Sequence, residues 1–367
     1  MTVVDIGHGK TGRRAYDLDE IAIVPSRRTR DPEDVSTAWQ LDAYRFELPL
    51  MSAPSDSVTS PATAIEVARL GGLGVLDLEG LWTRYDDPEP VLAEIAELDP
   101  AGATARLQEL YAHPVDPDLI GARIAEMREA GGITAGSLTP QSVERLHAVA
   151  LEAGLDVLVI GGTVVSAEHV SSRTDPLNLK DFIARYDIPV VVGGCASYAS
   201  ALHLMRTGAA GVLVGTGTEG SRGVLGLGVG QATAIADAAS ARSRHLEETR
   251  RDVQIIAAGG MRTGGDVAKA IAVGADAVML DEPLARASDA PGRGAHWTVS
   301  AGHATLPRGR RVDVAPVGTL EEVLVGPGRD GEGTTNLFGA LARTMALCGC
   351  EDVTQLQRAD VTVGPPS

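Results

Sequence analysis

A (β/α)8 barrel is the fold class that this 367-residue sequence predicts, on three observations. Eight short apolar runs, each ending in Gly, Ser or Pro, alternate with helical segments over ~250 residues once insertions are set aside. That number suits a closed barrel better than a doubly wound sheet, which usually has fewer strands. The 43 glycines against 3% aromatic residues fit many tight strand-to-helix turns around a core of Val, Leu, Ile and Ala. The length is ample for one large core or two ordinary domains, and an apolar content of 44% supports a globular protein.

Residues 1–47 read as an irregular arm carrying Arg13, Arg14, Arg27, Arg28 and Arg30, with a short strand at 21–24. LPLMSAPSDS (48–57) is the first barrel strand and its loop, and PATAIEVARLGG follows as a helix with a Gly stop. LGVLDLEG (73–80) is the second strand. The alternation then breaks. Residues 81–131 are charged and rich in Ala and Glu, with helical periodicity at 91–98 and 118–130, and read as an inserted helical subdomain.

From 132 to 285 the alternation resumes. ITAGSL (133–138) precedes a helix at 140–153, DVLVIGG (156–162) one at 177–186, and IPVVVGGCAS (188–197) one at 198–207. AGVLVG (210–215) precedes a helix at 231–243, VQIIAAGGMR (253–262) one at 265–274, and DAVMLDEPLA (276–285) closes the series. The tail, 286–367, is rich in Pro, Gly and Arg up to 334 and holds an amphipathic helix at 336–347. The chain thus divides into an arm with the first strands (1–80), the insertion (81–131), the rest of the barrel (132–285) and a flap-like tail.

A net charge of −17 argues against nonspecific binding to nucleic acid or an anionic membrane, because both reward a basic surface. The opening MTVVDIGHGKTGRRAY has no apolar signal core, and no stretch approaches the ~18 apolar residues of a membrane span. A cytoplasmic protein is expected. The three cysteines, Cys195, Cys348 and Cys350, agree with a reduced compartment, and the close pair lacks the second half of a zinc site. His169, His203, His296 and His303 share no helical spacing, so no metal site is expected.

Ligands of α/β barrels meet chemistry in loops leaving the carboxyl ends of the strands. The Gly-dense loop after the sixth strand, GTGTEGSR, is therefore the leading candidate, with Gly217 shaping it and Glu219, Ser221 and Arg222 as its polar groups. A Ser–Glu pair here would let the carboxylate act as base for a hydroxyl whose own pKa is far too high; the alternative is a solvated turn. The string Gly215-x-Gly217-x-x-Gly220 matches a dinucleotide fingerprint on paper, but the helix starts too late for that motif. Asp56, Ser57, Ser137, Thr163, Ser197, Tyr198 and Arg262 fall at other strand ends and are candidate cavity-lining groups or turn residues. Cys195 reads as a small buried hydrophobe, since no cation that would make it a thiolate is visible.

Together the strings GRRAYDLDEIAIVPSRRTRDP, ELPLMSAPSDSVTSPATA, GGLGVLDLEGLWTRY, VSAEHVSS, IPVVVGGCAS, ALHLMRTGAAGVLVG and GGDVAKAIAVGADAVML carry a specific likeness. The chain resembles the IMP dehydrogenase/GMP reductase superfamily, most closely its IMP dehydrogenase-related branch without CBS domains. The resemblance implies a barrel, often tetrameric, with 81–131 where other members carry the CBS insertion. It also implies a purine nucleotide at the carboxyl face, NAD(P) beside it, and a nucleophilic Cys in the loop after strand six.

The chain departs from that pattern at each chemical position. The loop up to Arg222 holds no Cys. Ala258, before Gly259 and Gly260, replaces the Asp that grips ribose hydroxyls, and Gly161 replaces a carboxylate at a cofactor ribose position. Ser55 replaces a Met that packs on the purine. Asp281 and Glu282 stand where Gly and Ser amides would cradle the phosphate, and a salt bridge from Arg262 to them could fill that pocket. The expected function is action on another small molecule by a repurposed barrel. A non-catalytic partner subunit and a surviving NAD(P)-linked purine nucleotide oxidoreductase are the alternatives.

Overall fold

The computed structural model describes residues 3–170, 172, 176–216, 225–297, 310–329 and 331–364. Its centre is a ring of eight parallel strands: β1 (Leu50–Ser52), β2 (Val75–Asp77), β3 (Ala135–Leu138), β4 (Val157–Gly161), β5 (Val190–Cys195), β6 (Gly211–Val214), β7 (Gln254–Ala258) and β8 (Ala277–Leu280). Neighbours in sequence are neighbours in the sheet, and β8 pairs with β1 through Met279 and Met51. A parallel bridge from Met51 to Leu73 completes the ring, with the Ser52 N–H donating to the Leu73 carbonyl at 2.9 Å. The fold class is the one the sequence predicts.

These strands read as unbroken apolar runs because both of their faces are buried. Val157 and Val159 of β4 point into the barrel beside Met51, Val75, Val191, Leu213, Ile256 and Met279, while Leu158 and Ile160 point outward to the helices. Alternation with period two does this sorting. The arm plugs the amino end of the barrel. A hairpin of Trp39–Leu41 and Tyr44–Phe46 stacks Trp39 on Phe46 with ring centroids 5.2 Å apart, and Tyr44 reaches Asp156, just before β4, at 3.4 Å. Residues 1–47 are thus more regular than the expected irregular arm. They hold a second hairpin (Val3–Gly7 with Lys10–Arg13), and Ile21–Ile23 pairs antiparallel with Val361–Val363 of the tail.

The helices follow the alternation. They are α1 (Pro61–Arg69), α2 (Glu89–Glu97), α3 (Ala103–Tyr111), α4 (Pro117–Glu129), α5 (Val143–Glu152), α6 (Leu179–Ile183), α7 (Tyr198–Met205), α8 (Gln231–Thr249), α9 (Gly264–Ala272), α10 (Glu282–Ala285), α11 (Leu320–Leu324), α12 (Leu337–Leu347) and α13 (Val353–Leu356). Their starts are set chemically: Ser60, Asp116, Asn178, Ser197, Thr263, Thr319 and Asp352 each accept a hydrogen bond from the first-turn backbone. Within 81–131, α4 packs between α1 and α5 in the outer ring. The helices α2 and α3 instead tie to the tail: buried Arg311 donates to the Ile95 and Ala96 carbonyls at the end of α2.

Candidate functional site

The loop after β1 carries Ser55, Asp56 and Ser57, all buried. The Ser55 hydroxyl donates to the Trp297 carbonyl at 2.6 Å, and Ser57 Oγ lies 2.9 Å from His296 Nδ1. The Asp56 carboxylate accepts the Leu81 N–H at 2.9 Å and the Tyr111 hydroxyl, and Tyr111 in turn accepts the Trp297 indole N–H at 2.8 Å. Three distant segments therefore meet over one loop: α3 supplies Tyr111, a short strand (Ala295–His296) and its successor supply His296 and Trp297, and the 3-10 turn Leu81–Thr83 supplies the backbone donor. A buried carboxylate needs such donors, because leaving it unmatched costs several kcal/mol.

Asp281 follows β8 and faces the other side of the same histidine. Its Oδ2 is 3.6 Å from His296 Nε2, and its buried Oδ1 has no hydrogen-bond partner among the described residues. Burial pushes this carboxyl above the usual range; His296 opposes the shift and Glu282 adds to it. Hydroxyl, imidazole and carboxyl thus line up as Ser57, His296 and Asp281. The buried Ser57 has no opening for attack, so the line can hold or pass a proton but does not present a nucleophile.

Arg262 and Glu282 join the β7 and β8 loops, with Nε and Oε2 3.3 Å apart on exposed side chains. The pair expected from sequence forms, but Asp281 turns away from it toward His296.

At the ends of β5, β6 and β7 the backbones converge. A Cβ on Gly215, whose φ is +146°, would lie 2.0 Å from the Ala258 carbonyl oxygen, and one on Gly194 would lie 2.1 Å from that of Gly215. Only glycine fits either position. Gln231, opening α8, donates its side-chain amide to the Val214 carbonyl at 2.8 Å and lies 3.5 Å from that of Ala258. Gly259 and Gly260 continue this turn with φ of +91° and +78°.

Cys195 is buried, and burial pushes its thiol up to about 12 against a hydrogen bond from Ser200. Burial favours the neutral thiol over the thiolate there. The Ser197 hydroxyl is taken up in capping α7. Thr163 is half-buried, its carbonyl against Gly194. Gly217, Glu219, Ser221 and Arg222 lie outside the described residues. Among the described residues no group of three or more His, Cys, Asp or Glu could hold a metal.

The structure thus brings Ser55, Asp56, Ser57 and Asp281 together around residues that sequence reasoning did not assign to the site: Tyr111, His296 and Trp297. A ring of eight parallel strands with helices around it defines a (β/α)8 barrel. Residues 15–304 match the IMP dehydrogenase/GMP reductase domain, and the chain belongs to that family.

The chain is 52% identical, over 99% of its length and all of the relative's, to an uncharacterized oxidoreductase of Mycolicibacterium smegmatis. It is 30% identical to the inosine-5'-monophosphate dehydrogenase of Cryptosporidium parvum, over 80% of this chain and 72% of that one. The crystal structure of an IMP dehydrogenase/GMP reductase-like protein from Corynebacterium glutamicum superposes with a TM-score of 0.93 at 47% identity, covering 99% of this chain and 98% of the other.

Proposed function

We propose that this barrel binds a small molecule other than a purine nucleoside monophosphate and acts on it by acid–base chemistry at the carboxyl face. The observation that carries this reading is Asp281, a carboxylate with an unmatched oxygen in the turn where the family likeness puts a phosphate cradle. A carboxylate ~4 Å from a phosphate costs on the order of 1 to 4 kcal/mol where a backbone N–H would have helped. Arg262, the nearby cation, is already matched by Glu282. Glu219, Ser221 and Arg222 on the loop after β6, with Asp281, are the proposed acid–base set. Gly161 ends β4 without a carboxylate for a cofactor ribose, so the residues present do not fit NAD(P) as the resemblance implies it, and no hydride step is assigned. We place the protein in the cytoplasm as a homo-oligomer, a tetramer by the same resemblance.

Titrating the protein with IMP, GMP, XMP, NAD and free nucleosides while following thermal unfolding tests the reading. A true ligand at a hundredfold excess over its Kd raises stability by roughly 3 kcal/mol. No such rise is expected with IMP or GMP, and IMP-dependent NADH formation above the enzyme-free rate overturns the proposal. A second reading, a non-catalytic partner subunit, draws on the filled corner in which Ser55, Asp56 and Ser57 are all engaged. It predicts that no small molecule raises the melting temperature and that the protein copurifies with another family member.

A further inference from the structure

We propose that the amino-terminal hairpin, Val3–Gly7 paired with Lys10–Arg13, is a docking arm that packs against a second copy of this chain. The inference rests on the homo-oligomer reading above and names the surface that makes it.

The hairpin has an anchored base and an uncovered body. At the base, Arg13 pairs with Asp237 of α8 at 2.7 Å, the Tyr16 N–H donates to Thr233 Oγ1 at 2.8 Å, and Asp17 accepts the Gln231 N–H at 2.8 Å. These bonds fix where the strands leave the barrel. Beyond them Val3, Val4 and Ile6 are 63%, 42% and 70% exposed. Ile6 lies over Gly12 across the hairpin, its Cδ1 2.8 Å from where a Cβ on that glycine would stand. A lone two-stranded ribbon is marginal in water and its open edges invite pairing, so this one is suited to being covered by another chain.

Charge and continuity identify that chain. The second strand and the residue after it carry Lys10, Arg13 and Arg14, of which Arg13 is taken by Asp237, against Asp5 in the first strand, on a protein whose net charge is −17. A basic turn on an acidic body is complementary to the body of its own kind, and such pairing steers association. The same balance disfavours nucleic acid as the partner. The apolar patch also extends across a groove of about 460 Å³ at the hairpin base, between Arg13 and Gly226–Gly230, where Leu225 and Leu227 are 45% and 46% exposed. Exposed apolar residues gathered at one place mark an interaction surface.

Sedimentation velocity of the full chain decides the matter. Wild type is expected to sediment as an oligomer, and the double variant Val4→Asn/Ile6→Asn to fall to half that mass or less at the same concentration. Because apolar substitutions could also loosen the arm, Lys10→Glu, which reverses one exposed charge away from the anchored base, is the second variant; it should weaken self-association at least tenfold while circular dichroism and the melting curve stay as in wild type. Oligomers of unchanged mass in both variants overturn the hairpin inference and leave the homo-oligomer reading standing. A wild type that is monomeric at every concentration overturns both.

Discussion

The two ends of β8 carry an aspartate each, and they have opposite fates. Asp276, entering the strand, accepts the Ile255 N–H at 2.7 Å and the Gln357 side-chain amide at 2.8 Å, and pairs with Arg242 of α8. Asp281, leaving it, has one histidine at 3.6 Å and an unmatched oxygen. The first holds β7, β8, α8 and the residue after α13 together at the amino end of the barrel. The second stands at the carboxyl end with that oxygen unmatched. In such barrels stability is set at the bottom and chemistry at the top, and the site proposed above puts Asp281 on the second side.

Substitutions can break that contrast, the largest effect first. Asp276→Ala leaves the Ile255 N–H, the Gln357 amide and half-buried Arg242 without their shared carboxylate and is expected to cost about 3 to 5 kcal/mol in chemical denaturation; a loss under about 1 kcal/mol would mean the amino end is not the stabilising one. Tyr111→Phe withdraws a donor from buried Asp56 and should cost about 1 to 3 kcal/mol, measured the same way. Asp281→Asn should act with the opposite sign and a smaller size. Burial raises the folded-state pKa of both aspartates, but Arg242, the Ile255 N–H and Gln357 oppose it at Asp276 and only His296 does at Asp281. The stability Asp281 contributes is thus full below the unfolded value of about 3.9 and is lost as pH rises through the folded value. The variant should therefore match wild type in acid and exceed it at neutral pH, and a neutral-pH loss like that of Asp276→Ala would erase the distinction. Arg262→Ala removes an exposed pair and should change stability by less than about 1 kcal/mol, with the melting temperature as readout.

Much of the architecture was legible because barrel strands are short apolar runs and their punctuation is chemical. Ser60, Ser197 and Thr263 announce helices by the bonds they go on to make. The Arg262–Glu282 contact was also legible, since adjacent strands bring adjacent loops together. The arm was not: WQL and YRF pair around a tight turn at Asp42, yet each strand is only three residues long, too short for a periodic signal to stand out. The corner built by Tyr111, His296 and Trp297 was hidden for a different reason. Ser57 and His296 are 239 positions apart, and nothing in local pattern links them. Tyr111 lies in the insertion and Trp297 in the tail, both of which read as peripheral to the barrel.

Trp297 has a practical consequence. The chain has three tryptophans, and this is the one whose indole and carbonyl both bond into the carboxyl-face corner, through Tyr111, Ser55 and Ser57. Any molecule that enters by prising that corner apart must wet the indole and shift its emission to the red. The protein thus carries an intrinsic fluorescent gauge of its own mouth, with Trp39 at the opposite end of the barrel as a steady background and Trp82, next to the Leu81 N–H that bonds Asp56, adding to the corner's signal.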